Sequence, residues 1–127
     1  MVALIAIDGE LEPPNRPEYD TVYGDSFMRR LVSGWQSSGG ARYIRGPNGV
    51  TRSLAYAAHR ALEPALDLAR RAGVSGLVLA GYSKGGAAAI VLSQLLAKHD
   101  VQVTCRPCST PWTWTGRSGP ASVPTCC

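Results

Sequence analysis

At 127 residues the chain is the size of one domain and long enough to bury a core. Its 45% hydrophobic and 17% charged content excludes a chain too polar to fold. The net charge of +4 is scattered, and the basic doublets Arg29-Arg30 and Arg70-Arg71 fall on the polar sides of predicted helices, which argues for solvated faces and against a nucleic-acid partner.

Val2-Ala3-Leu4-Ile5-Ala6-Ile7 is a continuous apolar run closed by Asp8-Gly9. Such a run predicts a central parallel strand buried on both faces. It lacks a basic leader and Asp8 ends it too early for a signal peptide, which points to the cytoplasm and is compatible with export by a dedicated secretion system. No run approaches membrane-spanning length, so no transmembrane segment is expected. Glu10 to Tyr23 contains Pro13, Pro14 and Pro17 and reads as a polar loop. Asp25 can cap a helix from Ser26 to about Gln36, with Phe27, Leu31 and Trp35 inward and Met28 and Val32 beside them. Ser37-Ser38-Gly39-Gly40 ends it.

Ala41-Arg42-Tyr43-Ile44 predicts a second strand, and Gly46-Pro47-Asn48-Gly49 a loop. A helix follows from about Thr51 to Ala72, with Leu54, Ala58, Ala61, Leu62, Ala65 and Ala69 as its inner stripe. Pro64 is expected to kink or divide it, and Gly73 to form its C-cap. Leu77-Val78-Leu79 predicts a third strand, Ala87 to Lys98 a strongly apolar helix, and Val101-Gln102-Val103-Thr104 the start of a fourth strand. The order β-α-β-α-β-α-β predicts an α/β fold: a mostly parallel sheet with helices on both sides, a three-layer sandwich.

Between the third strand and the apolar helix stands Gly81-Tyr82-Ser83-Lys84-Gly85. This fits Gly-x-Ser-x-Gly, the nucleophile elbow, in which a serine on a sharp strand-to-helix turn has its Oγ pushed into the open. Gly81 and Gly85 lack a Cβ, so strand and helix can pass close to the turn. The N–H groups of the helix beginning at Lys84 face the place where an oxyanion would form. The bland alternative is a glycine-rich turn whose serine merely caps the helix.

With these motifs in place, residues 1–104 resemble the central part of an α/β-hydrolase. They are most similar to the lipase-like family that includes type VI secretion phospholipase effectors. The resemblance rests on a first strand ending in Asp8-Gly9, on Tyr43-x-x-Gly46, and above all on the elbow Gly81 to Gly85. It implies a partial α/β-hydrolase fold, no cofactor, and a small-molecule or lipid ester as substrate. It implies Ser83 as the nucleophile and the backbone N–H of Lys84 as one oxyanion donor. The loop after the first strand would supply the second donor, from Gly9 or Glu10. The Lys84 side chain reads as a solvent-exposed cation with no part in this chemistry.

A serine hydrolase also needs a base, which in this fold follows the nucleophile. His59 precedes the elbow and reads as a helix-surface residue. His99 lies sixteen residues past Ser83 on the same helix, roughly 24 Å away at ~1.5 Å rise per residue, and Asp100 is equally remote. The chain therefore reads as an elbow with part of an oxyanion hole and no triad, and as weak or inactive alone.

Residues 105–127 follow a different grammar. They hold all four cysteines (Cys105, Cys108, Cys126, Cys127), no acidic residue and no structural period. Adjacent Cys126-Cys127 are poor partners for one tetrahedral zinc site, so no metal is expected. Back-translated with chosen G+C-rich codons and read in a neighbouring frame, Thr104 to Thr113 can become Leu-Pro-Ala-Leu-Phe-Asp-Ala-Val-Asp, an apolar strand and acidic loop. The tail is accordingly read as out of frame, a reading that the encoding DNA would test. Without the strands that would follow Val103, the sheet edge there is expected to be exposed and open to self-association.

Two further readings compete. A non-catalytic binding or regulatory module could keep the elbow fold. A nucleotide-binding domain fits less well, because Gly81 to Gly86 does not match Gly-x4-Gly-Lys-Ser/Thr.

Overall fold

The computed structural model describes residues 1–10, 20–47 and 54–103. The elements are β1 (Val2–Ile7), α1 (Phe27–Ser33), β2 (Ala41–Ile44), α2 (Leu54–Ala69), β3 (Gly76–Gly81) and α3 (Lys84–Ala97). The three strands form one open, all-parallel sheet in the order β2-β1-β3. The apolar run of β1 is central, as its sequence predicts. Leu4, Ile5 and Ile7 are fully buried, each contributing about 1.5–3 kcal/mol of burial free energy.

Ala3, Ile5 and Ile7 share one face of β1 and join a cluster with residues of α2, α3 and β3. Leu4 and Ala6, on the alternate face, are equally buried. α2 and α3 pack against each other, and α1 packs on β1 and β2.

The helices differ from the sequence expectation in detail. α1 is shorter, and its N-cap is Ser26 rather than Asp25: the Ser26 side chain accepts from the Arg29 N–H at 3.1 Å. Its buried residue is Met28, while Phe27 is 65% exposed. Two adjacent apolar residues at a helix start satisfy the same period, so the period alone did not choose between them. The stretch before α1 is not wholly loop, since Asp20 to Val22 is helical.

α2 runs through Pro64 without dividing. Its buried side is Ala57, Ala58, Ala61, Ala65, Leu66 and Leu68, with Leu62 and Ala69 only partly buried. Gly73, in the turn after α2, has φ +83, a left-handed conformation that favours glycine. α3 ends on two bonds, from the Asp100 N–H to the Ala97 carbonyl and from the Val101 N–H to the Leu96 carbonyl, with Asp100 at φ 58. α3 is buried on one side only; Ile90, Val91 and Leu95 are half-buried.

Of the expected fourth strand, Val103 makes a parallel bridge to Leu77. Residues 104–127, and with them the tail and its cysteines, lie outside the described residues, as do 11–19 and 48–53. No helix is long and apolar enough to cross a membrane among the described residues.

Candidate functional site

β3 leads directly into α3 through Tyr82 and Ser83. Ser83 has φ 53 and ψ −123. These are the angles of the first central position of a type II′ turn, which glycine normally occupies. The turn is closed by the Gly85 N–H donating to the Tyr82 carbonyl at 2.8 Å. Ser83 is therefore held in a strained conformation at an element junction, and its side chain is exposed and makes no capping hydrogen bond.

The junction is compact because it is built on glycines. A Cβ on Gly85 would overlap the carbonyl oxygens of Ile7 and Asp8, and one on Gly81 would lie 2.5 Å from the main chain of Gly85 and Gly86. The first turn of α3 thus sits directly against the end of β1. The Tyr82 N–H donates to the Ile7 carbonyl at 3.0 Å, completing the β1–β3 pairing in which Ile7 faces Gly81. The parallel pairing of β1 with β3 brings Asp8-Gly9 beside the Tyr82-Ser83 turn: a Cβ on Gly9 would lie 3.1 Å from Tyr82 Cδ1.

Asp8 itself is 1% exposed. Its Oδ2 accepts from Ser26 Oγ at 2.5 Å and from Tyr43 Oη at 2.8 Å, and its Oδ1 from the Gly9 N–H at 3.3 Å. Ser26, as the α1 cap, and Tyr43, on β2, therefore converge on one carboxyl group. Gly46 packs so closely on this segment that a Cβ there would overlap the Asp8 and Gly9 carbonyl oxygens. Tyr43 and Gly46, singled out in the sequence as a motif, act here through Asp8-Gly9. Ser26 and Tyr23 carried no signal as isolated hydroxyl residues, because their roles depend on contacts across the fold.

Arg29 corrects the reading of its doublet as a solvated face. Its guanidinium lies 4.1 Å from the centre of the Tyr43 ring and pairs with Asp20 at 2.8 Å. Asp8→Ala is expected to leave the Ser26 and Tyr43 hydroxyls without their acceptor, at a cost of about 1–3 kcal/mol or more. A urea titration checks this, and an unchanged midpoint would show that the cluster contributes nothing to stability.

Tyr23 Oη donates to the Glu10 carbonyl at 3.0 Å. Burial, followed by the neighbouring Asp8, Tyr82 and Glu10, raises the Tyr23 phenol above its ordinary 10.0. The folded chain therefore keeps this proton after the unfolded chain has released it. The resulting stability is full below pH 10.0 and is lost as pH rises through the folded value. Tyr23→Phe is expected to show a shallower alkaline loss of stability, measured as unfolding midpoints from about pH 9 to about pH 11. Equal slopes in the two proteins would remove Tyr23 as the cause.

The sequence-derived oxyanion donors are differently placed. The Gly9 N–H points to Asp8 Oδ1. The Lys84 and Glu10 N–H groups have no acceptor among the described residues. The Lys84 side chain is not a solitary cation: its Nζ pairs with a Glu10 carboxylate oxygen. His59 on α2 and His99 after α3 are both exposed, and neither hydrogen bonds to Ser83 or Asp8.

Comparison with known protein families, with curated proteins and with solved structures finds no match. Among the described residues no group of three or more His, Cys, Asp or Glu side chains is placed to hold a metal. A cleft of about 300 Å³ lies at the other end of β3, lined by residues that include Val74, Gly76, Leu77 and Val101. It is remote from Ser83 along the strand. Ligands of open parallel sheets bind outside the carboxyl ends of the strands, where Ser83 stands.

Proposed function

We propose that the chain carries the N-terminal and central part of a serine hydrolase domain acting on carboxylic, lipid-like esters, with Ser83 as the nucleophile. The observation that carries this reading is the exposed Ser83 at φ 53 and ψ −123 between a parallel strand and a helix. A serine used only as a cap gains nothing from such angles, whereas a nucleophile gains an accessible Oγ. The open N–H groups of Lys84 and Glu10 are the candidate oxyanion donors, and each such donor can lower the barrier by about 3 kcal/mol. α1 on one side and the α2–α3 pair on the other are read as the outer layers of a three-layer α/β-hydrolase sandwich.

No histidine contacts Ser83 among the described residues, so turnover by this chain is expected to be weak, of the order of the ~10³-fold over water that donors and binding alone sustain. A fluorophosphonate probe tests the reading. Slow labelling of the wild type that Ser83→Ala abolishes is the expected result. Absence of labelling would favour the second reading, a binding or regulatory module that keeps the elbow, supported by the lack of a base beside Ser83 among the described residues. Robust ester turnover by a chain ending near Thr104 would overturn the expectation of weak activity.

A further inference from the structure

Glu10 and Lys84 are 74 residues apart and joined by their side chains. Glu10 lies in the segment after β1, and Lys84 is the first residue of α3. The Glu10 side chain is only 19% exposed and that of Lys84 51%. The Glu10 carbonyl is held separately by Tyr23 Oη at 3.0 Å. Glu10 is thus restrained at its carbonyl and at its carboxylate, while its N–H has no acceptor among the described residues. The same division holds at Lys84, whose ammonium is paired and whose N–H has no acceptor among the described residues.

We infer that the Lys84–Glu10 ion pair is a positioning device: it tethers the segment after β1 to the first turn of α3, so that the two main-chain N–H groups are presented beside Ser83 together. This rests on the hydrolase reading of Ser83. The physical reason is that oxyanion donors act only when preorganised, and small displacements cost rate. β1 ends at Ile7, so the ladder that fixes the strand no longer restrains Glu10. A side-chain tether supplies that restraint. The pair contributes little to global stability, because its Lys84 end is half exposed and screened by water.

The test uses the full chain as wild type, Glu10→Gln, Lys84→Met, the double variant, and the exchanged pair Glu10→Lys with Lys84→Glu. Two readouts are needed. The backbone order parameter of Glu10, from ¹⁵N relaxation, is expected to fall from about 0.85 toward about 0.6 in each single variant. It should fall no further in the double variant and recover in the exchanged pair. Fluorophosphonate labelling of Ser83 should fall about threefold in parallel, with thermal midpoints unchanged. An unchanged order parameter in both single variants overturns the tether. A loosened Glu10 with unchanged labelling overturns its role in positioning. A wild type that does not label, while Glu10 loosens in the variants, removes the hydrolase reading and upholds the tether. If a single variant fails to fold, recovery in the exchanged pair carries the comparison.

Discussion

Glycine in place of Ser83 is expected to raise the unfolding free energy by about 1–3 kcal/mol while abolishing probe labelling. Ser83 occupies φ 53 and ψ −123, where a Cβ is in steric conflict and glycine is not. Its side chain makes no capping bond that would be lost. Part of the gain is offset, because glycine also increases the freedom of the unfolded chain. At this chain length a change of 1 kcal/mol corresponds to roughly 3–5 °C in the thermal midpoint. Ser83→Ala is the control: it keeps the Cβ and the strain, so it should lose labelling without the rise. A Ser83→Gly chain no more stable than wild type would mean that the turn is not strained, and the strongest argument for a nucleophile there would go with it.

The opposite outcome is expected at Gly85. A Cβ there would overlap the Ile7 and Asp8 carbonyl oxygens. Those atoms belong to the end of a buried central strand and cannot give way as a flexible side chain would. Gly85→Ala should therefore push α3 off β1, at a cost of about 3 kcal/mol or more, and displace Ser83 as well. Gly86, one residue on, supplies the comparison. The nearest atom to a Cβ at Gly86 is the Gly81 carbonyl oxygen at 3.4 Å, an ordinary contact. Gly86→Ala is expected to be neutral or to stabilise by up to ~1 kcal/mol through helix propensity. Chemical denaturation of the two variants measures the difference directly. Equal losses would show that the close approach of α3 to β1 is not what sets the geometry of the elbow.

The glycines show how much of the candidate site was legible in sequence. Gly81 and Gly85 were readable as points of close approach because the motif has a mechanical logic of its own. Gly46 was readable only as part of a short motif. Its reason is a non-local one: it lies against the main chain of Asp8 and Gly9, far away in sequence. The Lys84 side chain is half exposed, as its sequence reading expects, but its pairing with Glu10 is not legible locally, since that partner is separated from it by 74 residues.

By itself, the sequence determined the features governed by local physical chemistry. A six-residue apolar run is expected to be buried on both faces, and Ala3 to Ile7 are, with Val2 half-buried at the start of the strand. A strand, a Gly-x-Ser-x-Gly turn and an apolar helix follow one another from Gly76 to Ala97, because turn chemistry and hydrophobic period act over a few residues. The sequence also marks Ala58, Ala61 and Ala65 as the inner side of α2, and only the tertiary structure decided the finer rotation of α1 and the edges of that stripe. Met28 is buried and Phe27 exposed, and Leu66 and Leu68 are buried where Leu62 is not fully so. Period leaves a helix free to rotate by a residue, and the packing of its neighbours then selects the rotation. The tertiary structure also decided the strand order β2-β1-β3. That order places Ser26, Tyr43, Gly9 and Tyr82 around the end of β1, because a parallel sheet gathers at one edge the loops that follow its strands.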